Sequence, residues 1–235
     1  MNRPYIICHM VTSLDGKVTG DFLSTPECEG ACEIYYDINR NLKSNGFICG
    51  RVTMEGSFTG GYYPDLSEYE PVHYYTDFIP DNMSGFYAVA FDPKGKLGWK
   101  SNKIVDPDGD PGYDGAQIIE VLTEQTDERY LGYLKSMKIP YIFAGENEID
   151  IELALYKLKN SIGCETLLLE GGSIVNGFFQ RADVIDEISL VIAPIVAEKE
   201  DKPLFNDSTI SNFEIVKSEV IKGNTILKYK RVKTI

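Results

Sequence analysis

Long apolar runs are missing from this 235-residue sequence. None approaches the eighteen or so residues that span a bilayer, which argues against a transmembrane helix. The first ten residues, MNRPYIICHM, hold no extended apolar h-region and no small-residue cleavage site, so a cytoplasmic protein with no membrane partner is expected. Positive charge is scarce: 23 Lys and Arg stand against 36 Asp and Glu, a formal net charge of -13. That balance excludes a general nucleic-acid binder, which needs clustered cations to neutralise phosphates. It leaves room for a small anion held by a local basic pocket or by helix N-termini. Five cysteines are an odd number, which speaks against a disulfide framework. Cys28 and Cys32 lie at helical spacing with no histidine nearby, so they read as small core residues and no metal is expected. The sequence also lacks G-x-G-x-x-G, a Walker loop, and the H-x-E and P-C-x-x-C motifs of zinc deaminases.

What is present belongs to a globular chain. Apolar residues make up 43% and tyrosines number 15, enough for a substantial core. PYIICHMV (4–11) reads as a buried first strand, and SLDGK (13–17) as a turn. From about residue 27 the period becomes helical. Ala31, Ile34, Tyr35, Ile38 and Leu42 share one face, while Glu29, Glu33 and Asp37 lie largely on the other. GFICG (46–50) reads as a second strand that leads into a short helix at RVTMEG. Residues 59–115 are rich in Gly, Pro, Tyr and Asp, and only FYAVAFD (86–92) has a strand pattern there. A loop-rich insert of that length implies strands joined by long connections, which could cover a pocket or a partner subunit.

Regular alternation then returns. Strands are expected at 117–123, 139–145, 165–171 and 186–196, with helices at 127–138, 150–162 and 173–182. FEIVKSEVI, KGN and TILKYKRV close the chain as a hairpin. The expected fold is a single α/β domain over 1–235: a mixed, mostly parallel sheet flanked by helices, with a C-terminal antiparallel hairpin.

Two strand-to-helix junctions carry chemistry. In LLLEGGSIVNGFF (167–179) a strand ends at Glu170, Gly171 and Gly172, and Ser173 is the expected N-cap of the next helix. Free N–H groups beside a bare backbone form a site for phosphate, and Gly171, Gly172, Ser173, Ile174 and Val175 would line it. The competing reading is a tight turn that needs positive φ. At the second junction Gly50, Arg51 and Thr53 supply a glycine, a cation and a hydroxyl. A surface arginine at a helix start is the alternative there.

RPYIICHMVTSLDGKV, GRVTME and LLLEGGSIVNGFFQRADVIDEISLVIAPIV, in this order and spacing, resemble the reductase domain of bacterial riboflavin biosynthesis. That domain is part of the dihydrofolate reductase-like superfamily. The match covers roughly 1–57 and 117–235 and is poor between them. The resemblance implies a twisted mixed sheet, NADPH as hydride donor, and a homodimer. It implies that Thr12, Gly50, Thr53 and the segment from Gly172 to Phe178 line the cofactor, that Glu170 lies near the substrate, and that the Gly171–Gly172 bond is strained and cis. The family substrate is a small phosphorylated heterocycle, a ribosylaminopyrimidine 5′-phosphate whose sugar is reduced to ribityl. That reaction needs a proton donor as hydride arrives, and cations for the phosphate. With no deaminase motif, the likeness is to a stand-alone reductase.

Departures from the family pattern shape the candidate site. His9 stands where these reductases commonly carry lysine and becomes the candidate proton donor, with a hydrogen-bonded core histidine as the alternative. The family's acidic residue beyond the second junction falls near Ser57, and the usual DDP run is absent. GRVTME also resembles the GR-x-T-x-E of dihydrofolate reductases, whose first-helix acid finds its nearest counterpart in Glu33. Asp15 of SLDG is a candidate catalytic acid or a turn residue. Lys17, Arg40, Lys43 and Arg51 are the nearby cations. Two rival functions follow: a reductase of a pteridine or other small heterocycle, and a non-catalytic nucleotide-binding or dimerisation protein of the same fold.

Overall fold

The computed structural model describes residues 2–81, 83 and 85–232. They group into two compact units, one holding the chain up to Pro4 and Ser44–Leu167, the other Tyr5–Lys43 and the chain from Leu168 onward.

The first unit is built on β2 (Gly46–Gly50), β3 (Tyr87–Phe91), β4 (Gln117–Leu122) and β5 (Tyr141–Phe143), in the order β5-β4-β3-β2. All three pairings are parallel. Nearly every residue of these strands is buried, as expected of parallel strands covered on both faces. Two helices with side-chain caps belong here. Asp127 caps α3 (Glu128–Ser136) by accepting from the Arg129 N–H, and Asp150 caps α4 (Ile151–Lys157) by accepting from the Leu153 N–H. The four-residue α2 (Arg51–Met54) directly follows β2.

The insert is anchored within this unit. Leu97, Trp99 and Ile104 are buried, Tyr63 stacks on Tyr130 of α3 with centroids 6.1 Å apart, and Tyr69 meets Tyr133 edge-on at 5.3 Å. A Cβ on Gly98 would stand 1.9 Å from the Tyr62 carbonyl oxygen, so only glycine lets these two loop strands touch. The long connection is thus held by its tyrosines.

The second unit contains β1 (Tyr5–Thr12), α1 (Pro26–Asn41), most of β6 (Thr166–Gly171), α5 (Ser173–Arg181), β7 (Glu187–Ile192), β8 (Phe213–Ile221) and β9 (Asn224–Arg231). Its strand order is β6-β1-β7-β9-β8, with β1 and β7 parallel and both β7–β9 and β9–β8 antiparallel. The mixed α/β class and the terminal hairpin are as expected. Pro26 opens α1, where its missing N–H costs nothing. The helix then buries Cys28, Ala31 and Ile34 against Val11, Val191, Ala193 and Ile226, with Tyr35 and Ile38 packed beside them. Among the described residues no helix is long and apolar enough to cross a membrane.

Candidate functional site

β6 delivers the chain to the first junction through three fully buried leucines, Leu167, Leu168 and Leu169. Glu170 follows, also buried, and accepts a hydrogen bond of 2.5 Å from the Asn39 side chain of α1. This pair fixes the carboxylate from a residue 131 positions away. The charge is felt nearby: burial, reinforced by Glu170, pushes the Cys8 thiol far up.

Gly172 has φ 82 and ψ 152 and itself occupies the N-cap position of α5. Ser173 is therefore the first helical residue and not the cap. The positive φ explains why glycine stands at this position, because glycine turns the chain there without strain. The Gly171–Gly172 bond is trans, for the described residues contain no cis peptide. The expected cis bond is thus corrected: the left-handed conformation at Gly172 makes the turn.

The start of α5 leaves polar atoms open. Ser173 Oγ and both side-chain polar atoms of Asn176 are buried and make no hydrogen bond to another protein atom. The first helical N–H groups have no carbonyl one turn back, and the earliest helical bond here runs from the Asn176 N–H to the Gly172 carbonyl. No acidic residue lies in the first turn of the helix, so no side chain within that turn offsets the positive end of its dipole. A Cβ on Gly171 would come 2.8 Å from Asn176 Oδ1 and 3.4 Å from Val175. Ile174 is exposed and Val175 half-buried on the outer side of this turn. The helix is pinned from behind: Gly177 lies against the Asn206 carbonyl, the Asn206 N–H donates to the Ser173 carbonyl at 3.0 Å, and Gln180 holds Thr209 and Ser211.

The other candidates in this unit have partners of their own. Thr12 is buried at the end of β1. In the following turn Asp15 is exposed and accepts from the Ser13 hydroxyl (2.7 Å) and the Ala197 N–H (3.0 Å). Those bonds, the Ala197 one first, hold its pKa below the usual carboxylate value, so Asp15 is an anion that fixes the turn. Lys17 Nζ donates to the carbonyls of Lys199 and Asp201, at 3.0 and 2.7 Å. Glu33 is exposed and pairs with Lys222 at 3.4 Å.

His9 is fully buried. Its Nε2 faces the Tyr35 carbonyl at 3.1 Å, and its Nδ1 faces Ser189 Oγ at 3.0 Å. Nδ1 also faces the Ser189 carbonyl at 3.3 Å, so each ring nitrogen has a carbonyl acceptor within reach. The ring stacks on Tyr35 with centroids 4.3 Å apart. Burial lowers its pKa to about 4. These contacts describe a neutral histidine of the interior, and the sequence's candidate proton donor gains no support from them.

In the first unit, Gly50 caps α2 through the backbone alone, and Arg51 reaches one turn on to Glu55 at 2.6 Å. Thr53 is half-buried, and Ser57 is exposed in the turn that continues α2. Sequence reasoning missed a second polar centre here. Asp92 and Glu120 are both fully buried. Asp92 Oδ2 accepts from the Lys96 and Leu97 N–H groups, and Glu120 Oε1 accepts from the Trp99 indole and the Tyr130 hydroxyl. Asp92 Oδ1 and Glu120 Oε2 have no partner. Burial, then the charge of Asp92, drives the Glu120 pKa well above its usual value. No sequence spacing signals such a pair, because Asp92 directly follows β3 while Glu120 lies within β4.

Comparison with known proteins follows the same lines. The family model described as the RibD C-terminal domain matches residues 110–227. A 2,5-diamino-6-ribosylamino-4(3H)-pyrimidinone 5′-phosphate reductase of Aquifex aeolicus is 31% identical over 88 residues, covering 37% of this chain and 39% of that relative. The match therefore spans well under half of the relative's length. Among solved structures, a pyrimidine reductase-like protein of Corynebacterium diphtheriae superposes with a TM-score of 0.69 at 17% identity, covering 99% of this chain and 94% of that one. RibD of Acinetobacter baumannii gives a TM-score of 0.66 at 17% identity, over 99% of this chain and 59% of that one. At such identity these structures establish the fold.

Proposed function

The chain belongs to the RibD C-terminal domain family, and we propose that it is an NADPH-dependent reductase of the riboflavin-biosynthesis type. Its substrate on this reading is a ribosylaminopyrimidine 5′-phosphate, whose ribosyl group is reduced to ribityl. The Aquifex aeolicus relative, a 2,5-diamino-6-ribosylamino-4(3H)-pyrimidinone 5′-phosphate reductase, supports that substrate class.

One observation carries the proposal. At the head of α5, Ser173 Oγ and the Asn176 amide are buried without a protein partner, beside two glycines and unpaired helix N–H groups. Buried polar atoms left open cost stability unless something binds them. A dinucleotide pyrophosphate matches that set: an anion for the N–H groups and the Ser173 hydroxyl, hydroxyls for the Asn176 carbonyl oxygen. Gly171 lets the backbone pass close to Asn176, since a Cβ there would stand 2.8 Å from Asn176 Oδ1. Gly171, Gly172, Ser173, Ile174 and Val175 are the proposed cofactor contacts, with Thr12 at the end of β1.

Bound NADPH supplies the hydride. This chain's own atoms then have three tasks. The helix N–H groups and Ser173 Oγ hold the cofactor phosphate without a cation, which suits an acidic protein. Asn39 holds Glu170 in one orientation, so the carboxylate is a fixed acceptor for substrate hydroxyls. Asp15, clamped by Ser13 and Ala197, keeps the SLDG turn in shape. His9 receives no proton-transfer step. The protein acts as a homodimer in this reading, as the resemblance implies.

The experiment is NADPH oxidation followed at its absorbance maximum, with the aminopyrimidine phosphate or dihydrofolate as oxidant. Oxidation driven only by the former supports the proposal. Oxidation driven by dihydrofolate moves the substrate to a pteridine. Binding of NADPH with no turnover of either leaves a nucleotide-binding protein.

A further inference from the structure

The connection between β7 and β8, residues 193–212, holds no helix or strand, yet it is tied down along its length. Connections longer than about 12–15 residues are uncommon in a compact fold and usually carry function. The first half of this one follows the SLDG turn. The Leu14 N–H donates to the Ile195 carbonyl at 2.7 Å, and the Leu204 N–H to the Gly16 carbonyl at 3.0 Å. The second half lies against α5. Phe205 alone separates the grip on the turn from the grip on the helix.

Asn206 is where this strap meets the head of the helix. Its N–H donates to the Ser173 carbonyl at 3.0 Å, and its carbonyl oxygen lies 2.0 Å from where a Cβ on Gly177 would stand. Asn206 thus spans the turn from Ser173 to Gly177, and glycine is what lets it come so close. The pose is not a relaxed one for the chain. Asp207, next along, has φ 50, a left-handed conformation that costs energy for a residue with a Cβ. Arg181, the last residue of α5, holds the pair in place. Its Nη1 donates to the Asn206 carbonyl at 2.9 Å and to the Asp207 carbonyl at 3.0 Å. The guanidinium lies over the Phe178 ring, 4.8 Å from the centroid, which steadies the side chain. Gln180 grips the strap further on, at Thr209 and Ser211, and leaves Asn206 and Asp207 to Arg181.

We propose that Arg181 is a positioning residue of the cofactor site, acting through Asn206 on Ser173. The two ends of α5 lie about 12 Å apart along its axis, at 1.5 Å per residue. Arg181 therefore reaches the head of its own helix by way of the strap. By holding Asn206 against the first turn it keeps the Ser173 hydroxyl and the helix N–H groups set for a phosphate. Supporting groups of this kind decide whether a site is held tightly enough to bind. The inference rests on the NADPH reading of that site and adds a residue that touches no cofactor.

Binding measured in two backgrounds tests the proposal. Arg181→Met keeps the apolar stem and removes both donors, so NADPH affinity by fluorescence titration should fall about fivefold or more. Gly177→Ala keeps Arg181 but sets a Cβ against the Asn206 carbonyl, and should weaken NADPH binding in the same way. The discriminating measurement repeats Arg181→Met on Ser173→Ala. There its loss should shrink to about twofold, because residues that act through one another are not additive. An arginine that serves the fold alone would lower the melting temperature and cost the same affinity, or none, in both backgrounds. Thermal melts without nucleotide check that each variant folds, and Gly177→Ala is read in both backgrounds if Arg181→Met does not. Unchanged affinity in these variants, or equal losses in the two backgrounds, overturns the inference and leaves NADPH binding by the native chain intact. A native chain that binds no NADPH overturns both.

Discussion

Replacing Ser173 by alanine separates a hydroxyl kept for a ligand from one kept for the helix. A serine that caps a helix is worth about 1 kcal/mol, and its loss shows as a lower melting temperature. Ser173 does not cap: Gly172 holds that position, and Ser173 Oγ is buried with no protein partner. Removing it from the free protein relieves an unpaired buried hydroxyl. The expected change lies between zero and about 1 kcal/mol of added stability. For a chain of this size that is a rise of no more than about 4 °C. A hydrogen bond to an ionised phosphate is worth roughly 1.5–3 kcal/mol, so NADPH should bind about ten- to one-hundred-fold more weakly. Fluorescence titration gives the affinity, and melts with and without NADPH give both stabilities. The variant should melt as the native protein does without nucleotide, and gain less from it. A melting point several degrees lower with unchanged NADPH affinity would refute the reasoning, because the hydroxyl would then serve the fold.

Three further outcomes follow from the buried charges. Glu120 has its pKa raised by burial, so the folded chain keeps a proton that the unfolded chain gives up as pH rises past 4.5. Its contribution is full below that value and is lost upward at up to about 1.4 kcal/mol per pH unit, until its folded pKa is reached. Glu120→Gln keeps an acceptor for Trp99, so urea titrations from pH 5 to 8 should find the variant gaining on the native chain; parallel curves would contradict this. His9 has its pKa lowered to about 4, so the folded chain keeps it neutral while the unfolded chain protonates below 6.5. Its share of stability is complete above pH 6.5 and lost as pH falls towards 4, and its ring resonances should show no titration between pH 6 and 8. Asn39→Asp sets a second carboxylate against Glu170, where 2.5 Å separates the present pair. Substrate-driven oxidation should fall at least about tenfold while NADPH affinity holds, since a repelled Glu170 costs a few kcal/mol in its present orientation; an unchanged rate would remove Glu170 from the substrate side.

Much of the scaffold was legible because its signals are local. The apolar runs of β1 and β2 follow from burial on both faces, and the 3.6-residue stripe of α1 from burial on one. The glycine pair after Glu170 likewise marked the junction. The form of the turn was less accessible, because serine and glycine both serve as N-caps and only the φ of Gly172 decides between them. Asn39, which fixes Glu170, had no signal at all: on α1 it reads as one more polar residue near a helix end. Asp92 and Glu120 were hidden for a similar reason, since their partners come from a loop and a helix at unrelated spacings. His9 was ambiguous in sequence because a buried histidine and a catalytic one look alike there. Its contacts with Ser189 and the Tyr35 carbonyl in the interior leave no signal in the sequence.

The most direct test of the account is NADPH binding followed by turnover. Native protein titrated with NADPH should show saturable quenching or shift of the cofactor's fluorescence. Adding the ribosylaminopyrimidine 5′-phosphate should then drive NADPH oxidation. Absence of saturable binding by both NADPH and NADH would contradict the account at its centre.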